Sequence, residues 1–134
     1  MTLNNINQYG TAFQVKVIAA LLNDKSFLIN INDILSEEYF ESQASKWIIS
    51  EALSYFTKYH CPPTMEVLAV ELKKLKNEVL QISIKELLHS AYQASEKDLD
   101  YVKEEFFNFC KNQQLKKALM SSVDLLQAGD YDAI

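Results

Sequence analysis

Residues 99–128 read LDYVKEEFFNFCKNQQLKKALMSSVDLLQA, thirty residues with neither glycine nor proline. At about 1.5 Å per residue such a run makes a helical rod of roughly 45 Å. Gly129 follows directly and supplies the usual helix stop. Val102, Phe106 and Phe109 recur on one face, while Phe107 sits about 100° further round. Leu115, Leu119, Val123 and Leu126 continue an apolar stripe, yet Ala118, Met120 and Leu125 are apolar on other sides. Two readings are open. Either the rest of the chain covers these faces as an ordinary core, or part of the rod packs against another copy or another protein. One short partner helix cannot cover so many sides. The second reading is therefore the expectation, with Val102, Phe106, Phe107, Phe109, Cys110, Leu115, Leu119 and Val123 as the contact surface. On that expectation, Phe106→Asp or Leu119→Asp lowers oligomer stability and leaves the remainder folded.

Upstream of the rod the apolar spacing is helical nearly throughout. Thr11 is expected to cap a helix to about residue 23, burying Phe13, Val17, Ala20 and Leu21. One or two short turns follow over 25–35, with Phe27, Leu28, Ile31, Ile34 and Leu35 inward. Ser36-Glu37-Glu38-Tyr39-Phe40 reads as a capped single turn whose acids suit a helix N-terminus. Ser42 caps a stronger helix over 43–59, with Ala44, Trp47, Ile48, Ala52, Tyr55, Phe56 and Tyr59 on one broad face. Cys61-Pro62-Pro63 stops it. Thr64 caps the next, over 65–76. Residues 83–86 form an S-x-x-E capping box, with Ile82 and Leu87 placed as a hydrophobic staple, so a helix is expected over 84–94. Ser95 or Asp98 caps the rod.

These elements predict an all-α fold. A globular helical head spans 1–80, with a short N-terminal tail over 1–10. A helical hairpin over 81–129 pairs the 84–94 helix with the one long C-terminal helix. Residues 130–134, DYDAI, read as the cap and first turn of a further helix, which is the expected start of a linker.

Composition narrows the function. Two glycines and two prolines are too few for a phosphate-cradling glycine-rich loop or for an all-β chain. The 13 cations are all lysine, against 18 acids, for a net charge of −5. A chain without arginine lacks the guanidinium fork that reads guanine and grips phosphate, which argues against a small DNA-binding regulator. Two cysteines, Cys61 and Cys110, read as free thiols of a reducing compartment. The N-terminus has no signal-peptide pattern, and no apolar run approaches a membrane span. A cytoplasmic protein is expected.

Catalytic groupings are not apparent. His60 and His89 lack metal-site spacing, and a shared metal would need both to converge with Cys61 and Cys110. No serine has a nucleophile-elbow setting. Glu37-Glu38 and Glu104-Glu105 are neighbours in sequence, so on a helix their carboxylates diverge. No catalytic, cofactor or metal residues are assigned.

The order of signals resembles the N-terminal domain of DnaB-type replicative DNA helicases, particularly phage or prophage members. Phe13-Gln14 opens a helix that closes on Leu21-Leu22-Asn23-Asp24. Phe27 follows, then Ile34-Leu35-Ser36-Glu37-Glu38-Tyr39-Phe40, similar to the family's short acidic turn before an aromatic. Tyr55-Phe56-Thr57-Lys58-Tyr59 leads to Pro63-Thr64 and the leucines at 68 and 72. Leu125-Leu126-Gln127-Ala128-Gly129-Asp130-Tyr131 resembles the end of the family's hairpin. The likeness covers about residues 12–134. Ser45 and Lys46 depart from it, standing where many bacterial members have a histidine-arginine pair.

The resemblance implies a non-enzymatic collar domain of a ring-shaped ATP-dependent helicase. Its hairpins would pair between subunits, and dimers would assemble into a hexameric collar that docks primase or a helicase loader. DNA would be met only indirectly, through the ring, and no membrane is involved. ATP and Mg would belong to a following RecA-like motor domain, with no cofactor in these residues. The alternative is a free-standing helical adaptor, such as a helicase loader or a phage inhibitor of the helicase.

Overall fold

A computed structural model describes residues 6–129. All regular structure among them is helical. Six α-helices run in order: α1 Thr11–Asn23, α2 Lys25–Ile31, α3 Gln43–Tyr59, α4 Met65–Lys73, α5 Glu78–Tyr92 and α6 Leu99–Gln127. Two short 3-10 turns, Ile6–Tyr9 and Glu37–Tyr39, precede α1 and α3. The all-α class and the long C-terminal helix are thus as the sequence predicts. The 130–134 linker start lies outside the described residues.

α1 is the central element. Val17, Ala20 and Leu21 enter one core cluster with Phe27, Leu28, Ile31, Tyr39, Phe40, Val102 and Phe106. Ile18 and Leu22 enter a second, with Ile48, Ala52, Leu68, Leu72, Ile84 and Leu88. A helix buried on two sides shows no single clean stripe, and the sequence pattern displays only the first of these faces. Both clusters draw on residues before and after position 80. Helix α5 packs on α3 and α1, whereas α6 packs on α1 and α2. The expected pairing of the 84–94 helix with the long helix is therefore corrected: α1 stands between them, because its two apolar faces separate their partners.

Most helix ends form where side chains can cap them. The Asp24 carboxylate accepts from Phe27 N–H at 3.1 Å, ending α1 and starting α2. Ser42 Oγ accepts from Ser45 N–H at 3.0 Å, and Thr64 Oγ1 from Val67 N–H at 3.2 Å. α3 closes on His60, which takes the left-handed conformation (φ +60°, ψ +26°), with Pro62-Pro63 beyond it.

Several boundaries differ from expectation. Thr11 is the first helical residue and not the cap. Gly10 occupies that place at φ +87°, a conformation that favours glycine, and no side chain caps α1. Residues 6–9 are not tail, because Ile6 is fully buried and Tyr9 stacks on Phe13 with ring centroids 4.5 Å apart. α4 ends at Lys73. Beyond it Gln81 Nε2 donates to the carbonyls of Leu72 and Leu75, at 3.1 and 2.6 Å. The S-x-x-E box does not start a helix. Asn77 Oδ1 accepts from Leu80 N–H at 3.1 Å and α5 begins at Glu78, leaving Ser83 and Glu86 exposed in its interior. Leu80, Ile84, Leu87, Leu88 and Ala91 form one stripe onto the second cluster, and that burial outweighs a local capping pattern. Trp47 is only half-buried against this cluster, and Tyr59 is exposed. Asp98 stands at the start of α6 with φ +59° and makes no side-chain cap. Lys16 Nζ donates to Lys97 O at 3.0 Å and ties that turn to α1.

Candidate functional site: the outward face of the long helix

The expected contact surface separates into two parts. Val102, Phe106, Phe109 and Cys110 are buried in their own chain's first cluster. Phe106 packs 6.0 Å from Phe40 and 6.2 Å from Phe109, centroid to centroid, and Phe109 meets Tyr39 edge-on at 5.5 Å. Phe107 is half-buried beside them, with Lys111 Nζ 5.6 Å from its ring centroid. These aromatics serve the intramolecular core, and assigning the four buried residues to a contact surface is corrected. For them the ordinary-core reading holds. Phe106→Asp would therefore unfold the chain.

Leu115, Leu119 and Val123 are the other part, 59, 53 and 50% exposed, and Leu126, which is not among the expected contact residues, joins them at 49%. At about 100° per residue these four lie on average roughly 115° round α6 from the line Val102, Phe106, Phe109, Gln113. They face away from the body. Gln113 is the last buried residue of the helix. Just past it, Gln114 Nε2 donates to Tyr39 Oη at 3.0 Å, and Tyr39 Oη donates to Ile34 O at 3.1 Å. Lys117 pairs with Glu38 at 3.2 Å and lies 5.7 Å from the Tyr39 ring centroid. These are the last anchors. Residues 118–127 continue as an arm of roughly 15 Å. An exposed Leu–Leu–Val–Leu stripe on a projecting helix is the arrangement that another helix covers.

The other chemistry-bearing groups do not converge. His60 caps α3, His89 is exposed on α5, Cys61 is half-buried and Cys110 is fully buried. Burial pushes the Cys110 thiol far above its ordinary range, which keeps it protonated. Among the described residues, no three His, Cys, Asp or Glu side chains stand close enough to hold a metal. A groove of about 550 Å³ between α3 and α4 holds Glu51 and Glu71 with Tyr55 and Tyr59. Burial, and then Glu71, raise the Glu51 carboxyl above its ordinary value. No helix among the described residues is long and apolar enough to cross a membrane.

No protein-family model, curated protein or solved structure matches the chain.

Proposed function

We propose that this chain is a self-association and docking domain whose contact element is the outward stripe of α6. One observation carries the reading: Leu115, Leu119, Val123 and Leu126 are exposed together, turned off the core-facing line of the helix and beyond Gln113, its last buried residue. A single exposed leucine is ordinary, but four aligned on one projecting helix are not. Two such arms laid together would remove the stripe from water, and burial of each leucine contributes on the order of 1.5–3 kcal/mol.

The resemblance of the sequence signals to DnaB-type replicative helicases gives this domain a setting. It is the amino-terminal collar of a cytoplasmic bacterial or phage helicase. It pairs subunits within a ring and presents its head to primase or a helicase loader. The ATPase lies in a following RecA-like domain, and the collar itself performs no catalysis. That setting rests on analogy in sequence pattern. The net charge of −5 and the absence of arginine support contact with DNA through the ring rather than by this domain alone.

The test is Leu119→Asp in the full chain. The variant is expected to lose self-association by sedimentation equilibrium while keeping its helical circular dichroism, with a thermal midpoint that no longer rises with protein concentration. Association equal to that of the parent chain would refute the stripe. A parent chain that stays monomeric and instead captures an intact helicase would favour the adaptor alternative.

A further inference from the structure

Between α4 and α5 an open groove of about 420 Å³ is floored by Met65, Ala69, Leu72 and Leu88 and rimmed by Lys73 and Lys85. Its geometry is fixed at one end, because Gln81 is held by the carbonyls of Leu72 and Leu75. Neither rim lysine has an ion-pair partner among the described residues. An apolar floor between two unpaired ammonium groups suits an apolar segment that carries carboxylates. Residues 118–134 are such a segment. From Ala118 onward there is no lysine, while Asp124, Asp130 and Asp132 fall among leucines, Tyr131 and Ile134. Residues 130–134, DYDAI, place two carboxylates on either side of a tyrosine.

The fold favours delivery of this segment to a neighbour. α6 belongs to the first core cluster and the groove is built on the second, with α1 between them. From its last anchor at Lys117 the helical arm runs on through residues 118–127, roughly 15 Å, with Ala128 and Gly129 beyond it.

We propose that the α4/α5 groove receives residues 130–134 of a second copy of this chain. Asp130 and Asp132 pair with Lys73 and Lys85, and Tyr131 and Ile134 cover the apolar floor. Such a contact joins unlike surfaces. It passes from copy to copy and is satisfied everywhere only when the copies close into a ring. It does not use the α6 stripe and stands apart from the pairing proposed above.

The test is zero-length cross-linking of the full chain, mixing equal amounts of ordinary and nitrogen-15-labelled protein. A carbodiimide joins a lysine ammonium to an adjoining carboxylate as an amide and carries off the water as its urea. Links from Lys73 or Lys85 to Asp130 or Asp132 are expected, about half of them of mixed isotope, as random pairing between copies requires. Lys73→Glu with Lys85→Glu abolishes them, and so does Asp130→Lys with Asp132→Lys. Mixing these two variants restores a link of reversed polarity. Links persist in Leu119→Asp, so failure of the stripe and failure of the groove are told apart. Absence of these links in the parent chain, or links of a single isotope only, would overturn the proposal. So would no restored link in the mixed variants.

Discussion

Asp24 joins three elements through one carboxylate. It caps α2 and accepts a hydrogen bond from Lys103 of α6 at 2.5 Å. The Lys103 hydrogen bond, followed by the Phe27 N–H, holds this carboxyl below its ordinary value. A folded value below the unfolded one means the stabilisation is present above the unfolded carboxylate range, about 4. It is lost as pH falls through the lowered folded value. Urea midpoints of parent and Asp24→Asn should therefore differ at neutral pH and converge in acid, and Asp24→Ala should cost about 1–2 kcal/mol at neutral pH. A difference that grew with acid would contradict the assignment. Gln113 makes a second residue-scale case. It is 1% exposed, and its Oε1 has no hydrogen-bond partner among the described residues. Gln113→Leu is expected to raise the thermal midpoint, because leaving a buried acceptor unpaired costs about 1–3 kcal/mol. A lowered midpoint would show that the carboxamide serves the core.

At the scale of elements, local caps and burial compete, and α5 shows which prevails. Asn77→Ala should cost roughly 1 kcal/mol as the loss of a helix cap, whereas Ser83→Ala inside α5 should be neutral or stabilising by a few tenths. Chemical denaturation of the two variants checks this, and the reverse order would return the start of α5 to residue 83. The ends of α1, α3 and α6 were legible within about two residues, because proline, glycine and cap residues act locally, whereas the turns expected over 25–35 end at Ile31. The start of α5 was not. Two rival caps stand six residues apart in the sequence, and only packing of Leu80 and Ile84 on the second cluster decides between them. The long helix was legible in extent but not in the assignment of its faces. Phe106 and Phe109 have the same helical periodicity whether α2 or a neighbouring molecule covers them. Phe106→Asp is now expected to unfold the chain, as read by loss of helical circular dichroism. A folded variant would undo the placement of that ring in the core.

For the whole molecule, α1 divides two cores, and α6 runs along one of them before leaving it. No pattern in the sequence marks the residue at which a helix parts from its own body. That point follows from where Gln114 and Lys117 meet the Glu37–Tyr39 turn, eighty residues earlier in the chain for Gln114 and Ile34. Half of the expected contact surface was therefore read correctly as apolar but belongs to the interior. Phe107 is half-buried beside it, and Leu115, Leu119 and Val123 remain exposed and, with Leu126, carry the proposed function. Light scattering of the full chain across a concentration series tests that claim most directly. The account predicts a mass that rises from 15.4 kDa to at least twice that value, with Leu119→Asp shifting the rise to higher concentration. A parent chain that stays at 15.4 kDa throughout, or a variant whose curve overlays the parent's, would contradict it.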